Sequence, residues 1–222
     1  MKFGWTVTAL PGFLVMLGMA SPAVGFDLIP PGLEPGDQYR IVFVTSFTTT
    51  AESGNISDYD KIVTDAAAAS GSILQSLGAT WQAIVSTDSE SAFDHIGGTF
   101  SVPIFRVDGI EVATGSSQLW SGTLLDSILL DQTGSPAAGT VVWTGTGTDG
   151  LQDNPLGGAT PLDGCTTVTT PQWIDLQVAT SNSLTFPLYG ISSILTVPVP
   201  EPGIGGTILI GMLVVASLKF AP

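Results

Sequence analysis

Apolar and polar positions fall in short blocks along this chain, and a few blocks are long enough to predict an element unaided. The clearest is 39–45 (Tyr-Arg-Ile-Val-Phe-Val-Thr), β-branched and aromatic almost throughout. Both faces are apolar after Arg40, which predicts a central strand covered on both sides. A helical period follows. Tyr59, Ile62, Val63, Ala66 and Ala67 share one face, with Asp58, Lys61 and Asp65 off it. Asn55 or Ser57 can cap this helix, and Asp58 and Asp60 suit the positive end of its dipole. Ser70-Gly71 ends or kinks it.

Beyond the helix the blocks shorten. Residues 81–86 (Trp-Gln-Ala-Ile-Val-Ser) predict an extended segment, 91–96 a short helix, and 140–144 (Thr-Val-Val-Trp-Thr) a further strand. Residues 102–106 and 110–112 flank Asp108-Gly109, the strongest hairpin signal in the chain. Leu119-Trp120-Ser121-Gly122 and 124–130 are apolar patches of short helical or extended character. Residues 145–164 read as one long loop of Gly, Asp, Asn and Pro. The last strand is 188–197. This order predicts an α+β fold in which the first and last strands pair and the middle of the chain is inserted between them.

Two more apolar runs lie at the chain ends and read as targeting segments. Residues 1–25 carry Lys2, an apolar stretch interrupted by Pro11-Gly12, and small residues at Ser21-Pro22-Ala23 and Ala23-Val24-Gly25, the pattern of a secretory signal peptide. Residues 204–220 hold no charge before Lys219. As a helix this run would be roughly 25 Å long, close to the hydrocarbon thickness of a bilayer. The preceding Pro200-Glu201-Pro202 cannot extend that helix backwards, so a stiff linker abuts the apolar run. The tail resembles the PEP-CTERM sorting signal of exported bacterial proteins, which joins a Pro-Glu-Pro motif to a membrane helix and a basic cluster. The basic part is reduced here to Lys219. The resemblance implies an exosortase-type processing enzyme as partner, with Pro200, Glu201 and Pro202 as the sorting motif. It also implies a transient membrane anchor and a mature protein at the cell surface or outside the cell. The expected division is 1–25 signal peptide, 26–197 body, and 198–222 sorting tail with its transmembrane helix at 204–220.

Charge narrows the partners. The chain has 19 acidic and 5 basic residues and a net charge of −14. Only Arg40, Lys61 and Arg106 lie in the body. Such a surface repels nucleic acid. Cys165 is the single cysteine, so no intramolecular disulfide forms and packing alone must hold the body. Trp81, Trp120 and Trp143 lie in apolar extended stretches and are expected in the core, while Trp173 has polar flanks and is left open.

Candidate chemistry is sparse. Asp149, Asp153, Asn154 and Asp163 fall in the 145–164 loop and form the candidate binding loop. Oxygen ligands on a glycine-rich backbone suit calcium, but no Asp-x-Asp-x-Asp-Gly pattern is present, so a solvated loop is the expected reading and no metal or cofactor is assigned. Asp88, Glu90, Asp94 and His95 cluster before Gly97-Gly98 and read as a surface turn rather than an acid–base site. No Gly-x-Ser-x-Gly elbow and no phosphate-binding glycine loop occur.

Trp81 to Ser86, Val102-Pro103-Ile104-Phe105, Leu119-Trp120-Ser121-Gly122 and Val141-Val142-Trp143-Thr144-Gly145 with Asp149-Gly150 follow one another in the body. In order and spacing they resemble the endostatin domain of collagen, which has the C-type lectin-like fold. The fold's usual disulfides are impossible here, and the Glu-Pro-Asn and Trp-Asn-Asp motifs of calcium-dependent lectins are absent. The resemblance therefore implies a fold and not sugar binding. The resulting expectation is an exported, non-catalytic surface or matrix protein. The alternative is a module that binds polysaccharide, such as exopolysaccharide, or protein through 145–164.

Overall fold

The computed structural model describes residues 28–200. The signal-peptide reading of 1–25, the transmembrane reading of 204–220, and Glu201 and Pro202 lie outside the described residues. Among the described residues no helix is long and apolar enough to cross a membrane.

The described residues are mixed α/β, with two sheets and few helices. In order, it forms β1 (Gln38–Val44), α1 (Ile56–Ala68), β2 (Trp81–Ala83), α2 (Ala92–His95), β3 (Ile104–Arg106), β4 (Glu111–Ala113), α3 (Ser116–Leu119), β5 (Val141–Trp143), β6 (Leu162–Cys165), β7 (Gln177–Val178), β8 (Tyr189–Ser192) and β9 (Leu195–Thr196). The large sheet runs β2-β8-β1-β3-β4, with β9 also on β1. The small sheet runs β5-β6-β7. β1 pairs in parallel with β3 and antiparallel with β8 and β9. The expected pairing of first and last strands is present, with Val42 opposite Ile191 and Gln38 opposite Thr196.

β1 is central because its residues alternate between two cores. Tyr39, Ile41 and Phe43 face a cluster that includes Tyr59, Val63 and Ala66 of α1. Val42 and Val44 face a second cluster with Ile104, Val112, Leu119, Trp173, Tyr189 and Ile191. Asn55 caps α1 as expected, its side-chain oxygen accepting from the Ser57 amide at 3.3 Å. Lys61 pairs with Asp65 on the outer face at 2.6 Å. The Asp108-Gly109 hairpin joins β3 to β4, and Arg106 clamps it through both oxygens of Asp108 at 2.9 and 2.8 Å.

The last strand departs from the sequence reading. Residues 188–197 do not form one strand; they split into β8 and β9, with Ile194 between them 48% exposed. The ladder is interrupted by a side chain: the Ile41 amide donates to Ser192 Oγ at 2.9 Å, and the next residue turns away so that the Ser193 amide donates to Thr80 O at 2.7 Å. Arg40 fills the gap. Its Nε donates to Ser192 O and its Nη1 to Ile96 O, both at 2.7 Å, and its guanidinium lies 4.9 Å from the Phe100 ring centre. Arg40 is buried, and burial pushes its pKa down to about 10.

A strapped loop and its carboxylates

The 145–164 segment leaves β5 and returns as β6. Its path is fixed where its glycines meet the rest of the body. Gly145 has φ +60°, and a Cβ there would lie 2.6 Å from Ser86 O and 2.7 Å from the Leu156 amide. Ser86, beyond β2, is the hub of the attachment. Its amide donates to Thr144 O and its carbonyl accepts from the Leu156 amide, at 2.8 and 2.9 Å. Its hydroxyl accepts from the Ala92 amide at 2.8 Å and shares a hydrogen bond with Thr146 Oγ1 at 2.9 Å. Gly150 lies against Trp120 and Phe93, and the Phe93 amide donates to its carbonyl at 2.9 Å. Gly157 packs on Gly54 and donates to Ala51 O at 2.8 Å. The loop is therefore held to the scaffold at three separate places.

Between these straps the candidate residues separate into two groups. Asp149, Asp153 and Asn154 are exposed. Asp149 and Asp153 both border Gly147, where a Cβ would meet Asp149 Oδ1 at 3.4 Å and Asp153 Cβ at 3.6 Å. Asp149 Oδ1 accepts from the Leu151 amide at 3.0 Å, and Asn154 Nδ2 donates to Asp153 Oδ1 at 2.9 Å. Asp175, outside the segment singled out in the sequence, adds a third acid beside them; burial first and repulsion from Asp153 second raise its pKa. Leu151 stands 48% exposed in the same loop.

Asp163 does not belong with this group, which corrects its expected place in the loop. It lies in β6, opposite Trp143 and Gln177, and is 1% exposed. Its Oδ2 accepts from Gln177 Nε2 at 3.4 Å, while its Oδ1 has no hydrogen-bond partner. Burial, only partly offset by Gln177, raises its pKa to about 6. Among the described residues no group of three or more His, Cys, Asp or Glu side chains could hold a metal ion.

His95 gained a partner that its neighbourhood in the sequence did not reveal. Its Nδ1 lies 3.2 Å from Glu90 Oε1, but its Nε2 lies 2.9 Å from Asp60 Oδ1, contributed by α1. Asp60 Oδ1 also accepts from the Ala83 amide of β2 at 2.8 Å. Of the other two acids in that cluster, Asp94 accepts from the hydroxyl of Ser91, the residue that caps α2 by accepting from the Asp94 amide, and Asp88 is exposed. The imidazole thus fastens α2 to α1. Burial alone would lower its pKa, but hydrogen bonds and attraction from Asp60 and Glu90 raise it. With both ring nitrogens occupied by carboxylates, the ring is not presented to a serine or to Cys165. The Cys165 thiol lies 3.3 Å from Thr167 Oγ1.

These groups set a pH dependence. His95 and Asp163 both have folded pKa values above their ordinary 6.5 and 3.8. Their contributions are full below those ordinary values and are lost as pH rises through the folded ones, for Asp163 through about 6. Asp108 is the opposite case. Its hydrogen bonds to Arg106 hold its pKa below 3.8, so its contribution is present above 3.8 and lost on further acidification. The unfolding midpoint should therefore peak near pH 4, fall up to about pH 6 as Asp163 ionises, and fall again above 6.5, toward pH 8, as His95 loses its proton. Denaturant titrations across that range test this. Asp163→Asn should flatten the fall between about pH 4 and 6 and His95→Gln the fall above 6.5; a midpoint rising steadily to pH 8 would contradict both assignments.

No protein-family model matches the chain, and no curated protein is significantly similar to it.

Proposed function

We propose that this chain is an exported, non-catalytic surface or matrix protein. Its tail, Pro200-Glu201-Pro202 with the apolar run 204–220, is a transient membrane anchor released by an exosortase-type enzyme. Its body is an endostatin-like, C-type lectin-like domain. The observation that carries this reading is where the body's two ends meet. The Val197 amide donates to Asp37 O and the Gly36 amide to Val197 O, at 2.9 and 3.0 Å, so the chain enters and leaves the sheet side by side. Val199, just beyond, is 67% exposed, as a protease-accessible linker must be. The 145–164 loop is strapped at the other end of β1, because Ser86 lies past the Ala83–Gly190–Phe43 row of paired residues. At about 3.3 Å per residue, β1 separates the tether from the loop by roughly 20 Å. A domain held at one end and displaying a rigid loop at the other suits presentation at a surface. The pairing of first and last strands supports the lectin-like assignment, which separate sheets would have excluded.

Mass spectrometry of the mature C-terminus in the native host tests the sorting role. Termination near Val199 to Pro202 is the expected result. Recovery of intact Phe220-Ala221-Pro222 from most of the exported protein would overturn it.

A further inference from the structure

The charges of this acidic chain are unevenly placed along it. Residues 28–33, 66–87 and 176–200 carry none. Parts of all three stretches converge where the chain leaves β9. Leu28 and Ile29 from the first, Ser76 and Leu77 from the second, and Leu195 and Pro198 from the third line one open groove of about 180 Å³. A second groove, of about 370 Å³, is lined by Leu74, Gly78, Ala79 and Trp81, on either side of Ser76-Leu77 in the chain.

The stretches are tied to one another. The Ser193 amide donates to Thr80 O at 2.7 Å, and the Thr80 amide donates to Ser193 Oγ at 3.2 Å. Leu195 and Thr196 pair with Tyr39 and Gln38 of β1. Ile194, between these two attachments, is held exposed. Glu34, Asp37 and Asp65 stand at the rim of this face. Asp37 is turned back, its Oδ2 accepting from the Glu34 amide at 2.7 Å, and Asp65 is paired with Lys61. The other end of β1 is different in character. Asp149 and Asp153 of the strapped loop are exposed there, and so are Glu52 and Asp58 beside the contact of Gly54 with Gly157.

We propose that the charge-free face rests on the headgroup surface of a lipid bilayer with the acidic loop pointed away from it, an assignment that builds on reading 204–220 as a membrane anchor. Length then decides the orientation. Pro198, on the groove wall, precedes Ile204 by six positions. At no more than ~3.6 Å per residue, the two lie within about 20 Å of each other. A body of this size is roughly 40 Å across, so the tether is shorter than the body and the loop end cannot swing down to the bilayer. Charge agrees with length. Apolar and hydroxyl groups settle among headgroups at little cost, whereas carboxylates pressed there would have to shed water. Exposed apolar groups that adjoin one another are a mark of protein or membrane contact, and the short tether selects the membrane.

The test uses the full chain with Cys165→Ser, so that an introduced cysteine is the only one. The protein is reconstituted in phosphatidylcholine vesicles that carry a nitroxide just below the headgroups. A bimane label on Ser76→Cys or on Ile194→Cys, both exposed positions, should lose at least half of its fluorescence. The same label on Leu151→Cys, in the strapped loop, should lose almost none. Absence of quenching at 76 and 194 in protein that floats with the vesicles, or equal quenching at 151, would overturn this inference alone and leave the sorting role standing. Protein that fails to float with the vesicles would remove the anchor, and this inference with it. Quenching at 76 and 194 in detergent by nitroxide-labelled copies of the chain would assign the face to self-association and overturn the lipid contact.

Discussion

Replacing Trp143 with alanine is expected to cost about 3–5 kcal/mol. Against a total stability of about 5–15 kcal/mol, that leaves the body marginal or unfolded. Trp143 is fully buried, and it lies where the two sheets meet. Its strand pairs with β6 on one side, while on the other its amide donates to Pro187 O at 3.0 Å, next to the start of β8. Its ring supports Phe186 and its indole N–H satisfies the Thr49 carbonyl. Truncation removes all of these side-chain contacts and opens a cavity that two strands cannot both close. Trp143→Phe separates the contributions. It retains an aromatic ring against Phe186 but removes one of the two hydrogen bonds to the Thr49 carbonyl, the Phe186 amide at 3.1 Å remaining, for an expected loss of about 0.5–1.5 kcal/mol beyond the packing change. Chemical denaturation of the three proteins gives the ranking; an alanine variant as stable as the parent would contradict the packing described for this junction.

The elements legible in the sequence are those whose signal is local. β1 announces itself by β-branched and aromatic residues, α1 by its apolar period and its Asn55 cap, and the β3–β4 hairpin by Asp108-Gly109. β6 was hidden for the opposite reason. Its sequence, Leu-Asp-Gly-Cys, combines an acid and a glycine that disfavour strands with only one large apolar residue. It is a strand because β5 and β7 flank it, and that is a property of the assembled chain. Asp163 was misplaced along with it, since nothing local says that a carboxylate in a glycine-rich stretch will be buried. The split of the last strand was equally invisible. Ser192 reads as an ordinary strand residue, and only the buried Arg40 beside it shows that a side chain has taken over from the ladder. Trp173, ambiguous from its polar flanks, is fully buried; it stacks on Trp120 at 6.2 Å and meets Tyr189 at 5.6 Å between ring centres. The partnership of His95 with Asp60 joins residues far apart in sequence, and no spacing rule could have found it.

Gly164→Ala is expected to be nearly as damaging as the loss of Trp143, although it adds only one methyl group. A Cβ on Gly164 would lie 2.3 Å from the carbonyl oxygen of Trp173 and 3.0 Å from its carbonyl carbon. The obstruction is main chain, so no rotamer change relieves it. Nor can that main chain withdraw. Tyr189 Oη donates to Trp173 O at 3.0 Å, Thr144 Oγ1 donates to Ile174 O at 2.7 Å, and the Leu176 amide donates to Asp163 O at 2.8 Å. The turn carrying Trp173 is thus held by both sheets at the point where the methyl would push. The expected cost is about 3 kcal/mol, at the upper end for overpacking, because either the turn's hydrogen bonds or the β5–β6 pairing must give way. Gly190→Ala provides the contrast. Its Cβ would meet Val63 Cγ1 at 2.5 Å and Phe43 Cε1 at 2.7 Å, side chains that are themselves fully buried but that obstruct through rotatable groups and not through hydrogen-bonded main chain. Gly190→Ala should therefore destabilise less than Gly164→Ala, and only Gly164→Ala should alter the near-ultraviolet circular dichroism of the stacked Trp120 and Trp173. The reverse order of unfolding midpoints would mean that the turn yields more readily than its hydrogen bonds imply.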